Sequence, residues 1–383
     1  VKGYRPPTMP VRERFAAALM RAAGKTYSNA RYDPYIAGSD DLPRTYLRTP
    51  FSLETEVLGA LRFTEQFAPS GKKAKLYLWS GNTSPFEGAI AATRKAGVRN
   101  MNGGDSRFDK EYPSVGYVPP ISRPVGPERQ IYAVNSNENT YTNDWTGPFG
   151  GQMMLSHTLR NTDTPRRLKA FNLYYHMYSG EKPASLKAVK HFLDEARAAR
   201  VVPIPASEYA AIADDYFTTE IEQVDLFSWA VKKRGSLQTL RFDEADHLAV
   251  DLSASVGVLG FTRHEGAIYA SLDPAAERPV VTLKAAAQGG DRSEGRSLVL
   301  VESRWRFSGM RAADCDQSVT AQGFGPGEMV WRGKARAPYR VRVSRNERML
   351  TEEIRWTDAA GLLPLNLAID AIEPVTLWFT CHE

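Results

Sequence analysis

The segment Phe171-Asn172-Leu173-Tyr174-Tyr175-His176-Met177-Tyr178-Ser179-Gly180 places a histidine, His176, at the end of a short apolar run that leads straight into a helix-like pattern. In an α/β barrel a proton-transferring side chain sits at this kind of place, the C-terminal end of a strand. Outward from it, as far as about residue 216, short apolar runs alternate with amphipathic stretches. Strands are expected over 75–80, 98–102, 130–135, 171–178 and 201–206, each bounded by Gly, Pro, Asn or Ser. Helices are expected over 11–23, 53–67, 85–96, 152–159, 183–199 and 207–216. Ser84 before Pro85 supplies one helix start, and Ser207 with Glu208 in the first turn another. The alternation reads as an α/β fold, a mostly parallel sheet or barrel, over residues 1–221.

Beyond about Glu222 the helical period nearly vanishes. Runs such as LQTLRF, AIYASL, SLVLVESRWRF and YRVRVSR alternate apolar with polar residues and are separated by turn residues. This is the pattern of an antiparallel all-β sandwich or jelly roll, expected over 222–383.

The chain has 383 residues, 42% of them hydrophobic, enough for two cores. Its 49 basic and 44 acidic residues leave a net charge of +5 without a long basic block, so a nucleic-acid partner is not expected. No apolar run approaches the ~18 residues of a membrane span, and no signal peptide opens the chain. It starts at Val1, and upstream material is expected to have been removed. The two cysteines, Cys315 and Cys381, have no CxxC or zinc-ligand spacing. They form one disulfide if the compartment is oxidising, or stay as buried thiols.

Polar residues cluster where the expected strands end: Ser80-Gly81-Asn82, Asn102-Gly103-Gly104-Asp105, Asn135-Ser136-Asn137-Glu138-Asn139, His176, and Glu208. Together they read as a sugar-binding mouth, although each alone suits a turn or a cap. The loop 135–151, with Tyr141, Trp145 and Phe149, suits a carbohydrate groove in which rings stack on sugar faces. His176 is the candidate catalytic residue. Trp79, Asn82, Asp105, Asn137, Glu138, Asn139, Trp145 and Glu208 are the candidate substrate contacts. His157, His191, His247 and His264 have no ligand-spaced neighbour and read as structural. HExxH, P-loop, GxSxG and Rossmann motifs are absent from the sequence.

LYLWSGNTSP, RNMNGGD, NSNENTYTNDWTGPF and LYYHMYSGEKPASLKAV, in this order over about residues 28–216, resemble the deacetylase region of Pel exopolysaccharide biosynthesis proteins, relatives of the NodB-type polysaccharide deacetylases. The resemblance implies a periplasmic or exported bacterial protein with a distorted α/β barrel and a β-rich region after it. It implies removal of N-acetyl groups from an amino-sugar polymer by water activated on a divalent metal, with an export-complex protein as a further partner. In such enzymes an Asp and two His bind the metal, a second Asp is the base and a late His is the acid. His176 matches the late His. The paired-His motif falls on residues 28–35, where Asn29 and Asp33 stand at the two histidine positions. Amide and carboxylate oxygens suit harder ions than zinc or cobalt. The paired-Asp motif has no counterpart before Ser28, and Asn82 stands where an Asp is expected.

Two functions are therefore weighed: a deacetylase with His176 as acid, and a degenerate carbohydrate-binding or scaffold relative. A third reading gives the β-rich half a sugar-binding face built from Trp229, Trp305, Trp331, Trp356 and Trp378.

Overall fold

A computed structural model describes residues 11–23, 52–81, 83–142, 148–164, 166–286, 297–313 and 315–382. The chain divides into two compact units, Val1–Ser136 and Asn137–Glu383.

In the first unit the helices are α1 (Val11–Ala22), a wound segment Glu54–Gly59 that continues as α2 (Ala60–Glu65), and α3 (Glu87–Lys95). Two three-residue strands, β1 (Leu76–Leu78) and β2 (Arg99–Met101), pair in parallel, with Tyr77 opposite Asn100. The crossover α3 buries Ala89, Ile90 and Thr93, one apolar stripe of a 3.6-residue period. Then comes a hairpin, β3 (Ser122–Val125) and β4 (Glu128–Ile131), closed by Gly126 at φ +59°. Past β4 the chain runs alongside β2, with Asn102 N–H donating to Ile131 O and Ala133 N–H to Gly103 O.

The second unit opens with short helices: α4 (Leu155–Asn161), α5 (Pro183–Ala198) and α6 (Ala206–Asp215). Pro183 at the first helical position pre-sets the backbone of α5. Its Ala188, Val189 and Phe192 face inward, and Phe192 joins Tyr141, Leu155 and Leu159 in a small core against which Phe171 and Leu173 pack. From Glu220 on, the structure is strand: β5 (Glu220–Asp225), β6 (Ser228–Lys232), β7 (Thr239–Phe242), β8 (Leu248–Val250), β9 (Val258–His264), β10 (Ala267–Leu272) and β11 (Val280–Ala285). Then follow β12 (Val299–Ser303), β13 (Arg306–Ala313), β14 (Asp316–Gly323), β15 (Gly327–Arg332), β16 (Pro338–Arg345), β17 (Arg348–Trp356), β18 (Leu362–Leu367) and β19 (Ala371–Cys381).

Three sheets result, with strand orders β18-β15-β12-β9-β10-β7, β5-β6-β11-β8 and β13-β14-β19-β16-β17. The six-stranded sheet contributes to two apolar layers. Its Leu300, Trp331, Leu363 and Leu365 share one core with Phe307, Val341, Leu377 and Phe379 of the five-stranded sheet. Its Phe261, Ile268 and Leu272 share another with Val231, Val281 and Leu283 of the four-stranded sheet. Period-2 burial, as in Gln317, Val319 and Ala321 of β14, is what packs one face of each sheet inward. A disulfide joins Cys315, just before β14, to Cys381 at the end of β19, with Cα atoms 5.3 Å apart. The cysteines are therefore paired, not free thiols.

The distorted (β/α) barrel is overturned. The structure is mostly β, 36% strand against 24% helix, and no closed barrel forms among the described residues. Residues 130–135 supply only the end of an antiparallel hairpin strand. Within 171–178 the pairing is a single bridge, Tyr174 with Asn137, and 201–205 lie in no ladder. A barrel needs strands that pair on both sides with a common stagger, and these runs are too short and too soon interrupted by Asn, Ser and Pro to sustain such ladders. No helix among the described residues is long and apolar enough to cross a membrane.

Candidate functional site

In the second unit the chemistry gathers around His176. Residues 171–176 are extended, so Phe171 and Leu173 turn toward the small core while Tyr174 and His176 share the other side, and the turn that follows brings the Tyr178 ring beside His176. The Tyr174 and His176 rings lie 5.6 Å apart, and His176 stacks on Tyr178 at 5.0 Å with planes 8° apart. Immediately after His176 the chain winds into a 3-10 turn, Met177–Gly180, which leads to α5.

Glu138 comes from a second 3-10 turn, Glu138–Thr140, started by Asn137, whose side-chain Oδ1 accepts from Asn139 N–H at 3.0 Å. Glu138 is 4% exposed. Its Oε1 accepts the His176 backbone N–H at 3.1 Å and lies 2.8 Å from His176 Nδ1. A carboxylate only accepts, so Nδ1 carries the proton and proton exchange falls to Nε2. The imidazole is 37% exposed while its carboxylate partner is 5% exposed, an orienting group inside and a reactive group at the surface.

Asn139 and Tyr178 exchange two hydrogen bonds: Asn139 Nδ2 donates to the Tyr178 hydroxyl at 2.8 Å, and that hydroxyl donates back to Oδ1 at 3.1 Å. Burial, followed by the nearby Glu138 carboxylate, pushes the Tyr178 phenol up to about 12, so it stays a neutral hydroxyl. Gln152, 1% exposed, donates from Nε2 to Tyr174 O at 3.0 Å and fixes the segment that carries His176.

The first unit holds a different arrangement at the carboxyl ends of β1 and β2. Trp79 donates from Nε1 to Asn100 Oδ1 at 3.0 Å and packs on Tyr77 at 5.0 Å. Asn102, Gly103 and Gly104 have φ of +128°, +84° and +69°. Asn102 is the costly one, because a side chain is rarely accommodated there. Its Nδ2 donates to Trp79 O at 2.6 Å, and its Oδ1 accepts from Gly103 N–H at 2.9 Å. Fully buried Gln130 clamps this turn to its neighbour, donating from Nε2 to Thr83 O at 2.7 Å and to Asn102 O at 2.6 Å. Asp105 follows the turn; part of it meets solvent, yet protein around its carboxyl raises its pKa.

The remaining sequence candidates separate. Glu208, in the first turn of α6, is taken up by an ion pair with Arg306 of β13. Asn82, Trp145, Asn29 and Asp33 lie outside the described residues. Among the described residues no group of three or more His, Cys, Asp or Glu could hold a metal ion.

Sequence reasoning did not single out Tyr174, Tyr178, Gln152 or Gln130. The Tyr-x-His spacing of 174–176 is the available signal for Tyr174, since alternate residues of an extended segment share a face, whereas Tyr178 reaches His176 through the turn Met177–Gly180. Comparison with protein-family models, with curated proteins and with solved structures returned no match.

Proposed function

We propose that the chain is a hydrolase of the polysaccharide deacetylase type that acts on an N-acetylated amino-sugar polymer in exopolysaccharide biosynthesis. The observation that carries this reading is the pair Glu138–His176, a buried carboxylate holding a half-exposed imidazole by its Nδ1. In amide hydrolysis water adds to the acetyl carbonyl, the C–N bond breaks, and the departing nitrogen needs a proton. His176 gives that proton from Nε2 and Glu138 stabilises the ring that carries it, a contribution of about 10²- to 10⁴-fold. Tyr174 and Tyr178 flank the imidazole with flat apolar faces of the kind that sugars stack on. In the first unit Trp79 and Asp105 are candidate sugar contacts. The disulfide supports an oxidising compartment, hence a periplasmic or exported protein with components of an export complex as its partners.

The second reading, a carbohydrate-binding relative without hydrolysis, is favoured by the missing metal-donor group among the described residues. Acetate release from an N-acetylated amino-sugar oligomer separates the two. The first reading requires release by the wild type and its loss in His176→Ala with the fold retained. A wild type that binds the oligomer and releases no acetate establishes the second.

A further inference from the structure

Of the five tryptophans of the β-rich region, Trp229 is partly buried against the core of the four-stranded sheet, and the other four sort into two groups. Trp305 and Trp331 are each 1% exposed and belong to the core between the six- and five-stranded sheets. Trp356 and Trp378 are 63% and 45% exposed, and both lie on the outer face of the five-stranded sheet. The register fixes this. In β19 Leu377 and Phe379 point inward, so Trp378 points outward, level with Ser318 of β14 and Arg342 of β16. One step along, Thr380 is level with Arg340, and Arg340 with Ile354 of β17. Trp356 lies opposite Pro338, four residues from Arg342 along β16 and two strands from Trp378. At about 3.4 Å per residue and about 4.8 Å per strand, the backbone positions that carry the two rings are roughly 17 Å apart on one surface.

Between the rings the sheet presents Arg340 and Arg342, and one carboxylate, Glu352, accepts from Arg340 at 2.8 Å and lies 3.4 Å from Arg342 Nε. Two guanidiniums against one carboxylate leave this patch positive. Exposed indole rings with hydrogen-bonding groups between them put stacking faces and donors on one surface. Indole rings at this spacing, with guanidinium and hydroxyl groups between them, suit a chain of flat rings bearing hydroxyl and carbonyl oxygens.

We propose that this face binds a neutral, N-acetylated segment of a sugar chain. Trp378 and Trp356 are the stacking platforms, and Arg340 and Arg342 donate to hydroxyl and acetamido oxygens. The positive charge disfavours a segment whose amines have been uncovered, so the face holds polymer before deacetylation and releases it afterwards. That the sugar is an amino sugar rests on the proposed function; the stacking surface stands without it.

The test uses the full chain labelled with 5-fluorotryptophan, the probe ligands being an N-acetylhexosamine hexamer and its fully de-N-acetylated, cationic form. The Trp378 and Trp356 fluorine resonances, identified by their loss in Trp378→Phe and Trp356→Phe, should shift saturably with the acetylated hexamer. Trp378→Ala should weaken the midpoint read at Trp356 at least ten-fold, and the cationic hexamer should bind wild type at least ten-fold more weakly. Shifts confined to other tryptophans, an unchanged midpoint in Trp378→Ala, or equal binding of the cationic hexamer would overturn the proposal. Acetate release on the same sample keeps the two ideas apart. Saturable Trp378 shifts without acetate release leave the face standing and remove the hydrolase, whereas His176-dependent release without those shifts does the reverse.

Discussion

Lys169 offers a perturbation whose size and sign follow from burial alone. It is 4% exposed, and its Nζ has no hydrogen-bond partner among the described residues. Burial lowers its pKa from the ordinary 10.5 to about 8. At 1.36 kcal/mol per pH unit this difference corresponds to about 3 kcal/mol. Below pH 8 the lysine is protonated in both folded and unfolded chain, and the folded state bears the whole penalty of an unpaired buried ammonium. Between pH 8 and 10.5 the unfolded chain still binds the proton that the folded chain has lost, so stability rises with pH. Above 10.5 the penalty is gone. Lys169→Met keeps the bulk and removes the charge, so it should stabilise the second unit by about 3 kcal/mol at pH 7. That corresponds to a rise in melting temperature of roughly 6 to 12 °C for a unit of this size. The gain should shrink steadily between pH 8 and 10.5. Calorimetric melts of wild type and variant at pH 7, 9 and 10.5 measure it. A variant no more stable than wild type at pH 7, or a gain independent of pH, would refute the reasoning.

Two further perturbations test the frame. Breaking the disulfide by Cys315→Ser with Cys381→Ser frees a loop of 66 residues and should destabilise the sandwich by about 4 kcal/mol, read by denaturant titration against the oxidised wild type. Gly104→Ala places a Cβ on the Tyr132 ring at φ +69° and should destabilise the first unit by at least about 2 kcal/mol, seen as a lower melting temperature.

Local pattern carried part of this structure and non-local pairing the rest. The helices at 87–95, 183–198 and 206–215 declare themselves through apolar stripes, and β1 and β2 through apolar runs ended by Gly and Asn. By composition every such run nevertheless fits a strand of a parallel sheet or barrel. Residues 171–178 and 201–206 look like β1 in composition, but a ladder requires a partner at the right register, and a short apolar run says nothing about its partner. The alternation beyond Glu222 marks strands clearly; that one six-stranded sheet contributes to two cores emerges only from pairing such as β9 with β12.

The site divides in the same way. His176 and Glu138 were both legible as polar strand-end residues, but their hydrogen bond, 38 positions apart, was not. Glu208 looked equally suitable until Arg306, 98 residues further on, engaged it. Lys169 has no sequence signature at all, because a lysine between helical and strand-like runs reads as an exposed surface residue.

The central claim is that Glu138 and His176 act as one proton-transferring unit, and a double-mutant cycle on acetate release tests it most directly. Rates are compared for wild type, Glu138→Gln, His176→Ala and the double variant on one acetylated amino-sugar oligomer. The account predicts release by the wild type, a loss of about 10²- to 10⁴-fold in His176→Ala, a smaller loss in Glu138→Gln, and a double variant no slower than His176→Ala alone. Absence of release by the wild type, full activity in His176→Ala, or losses that simply multiply in the double variant would contradict it.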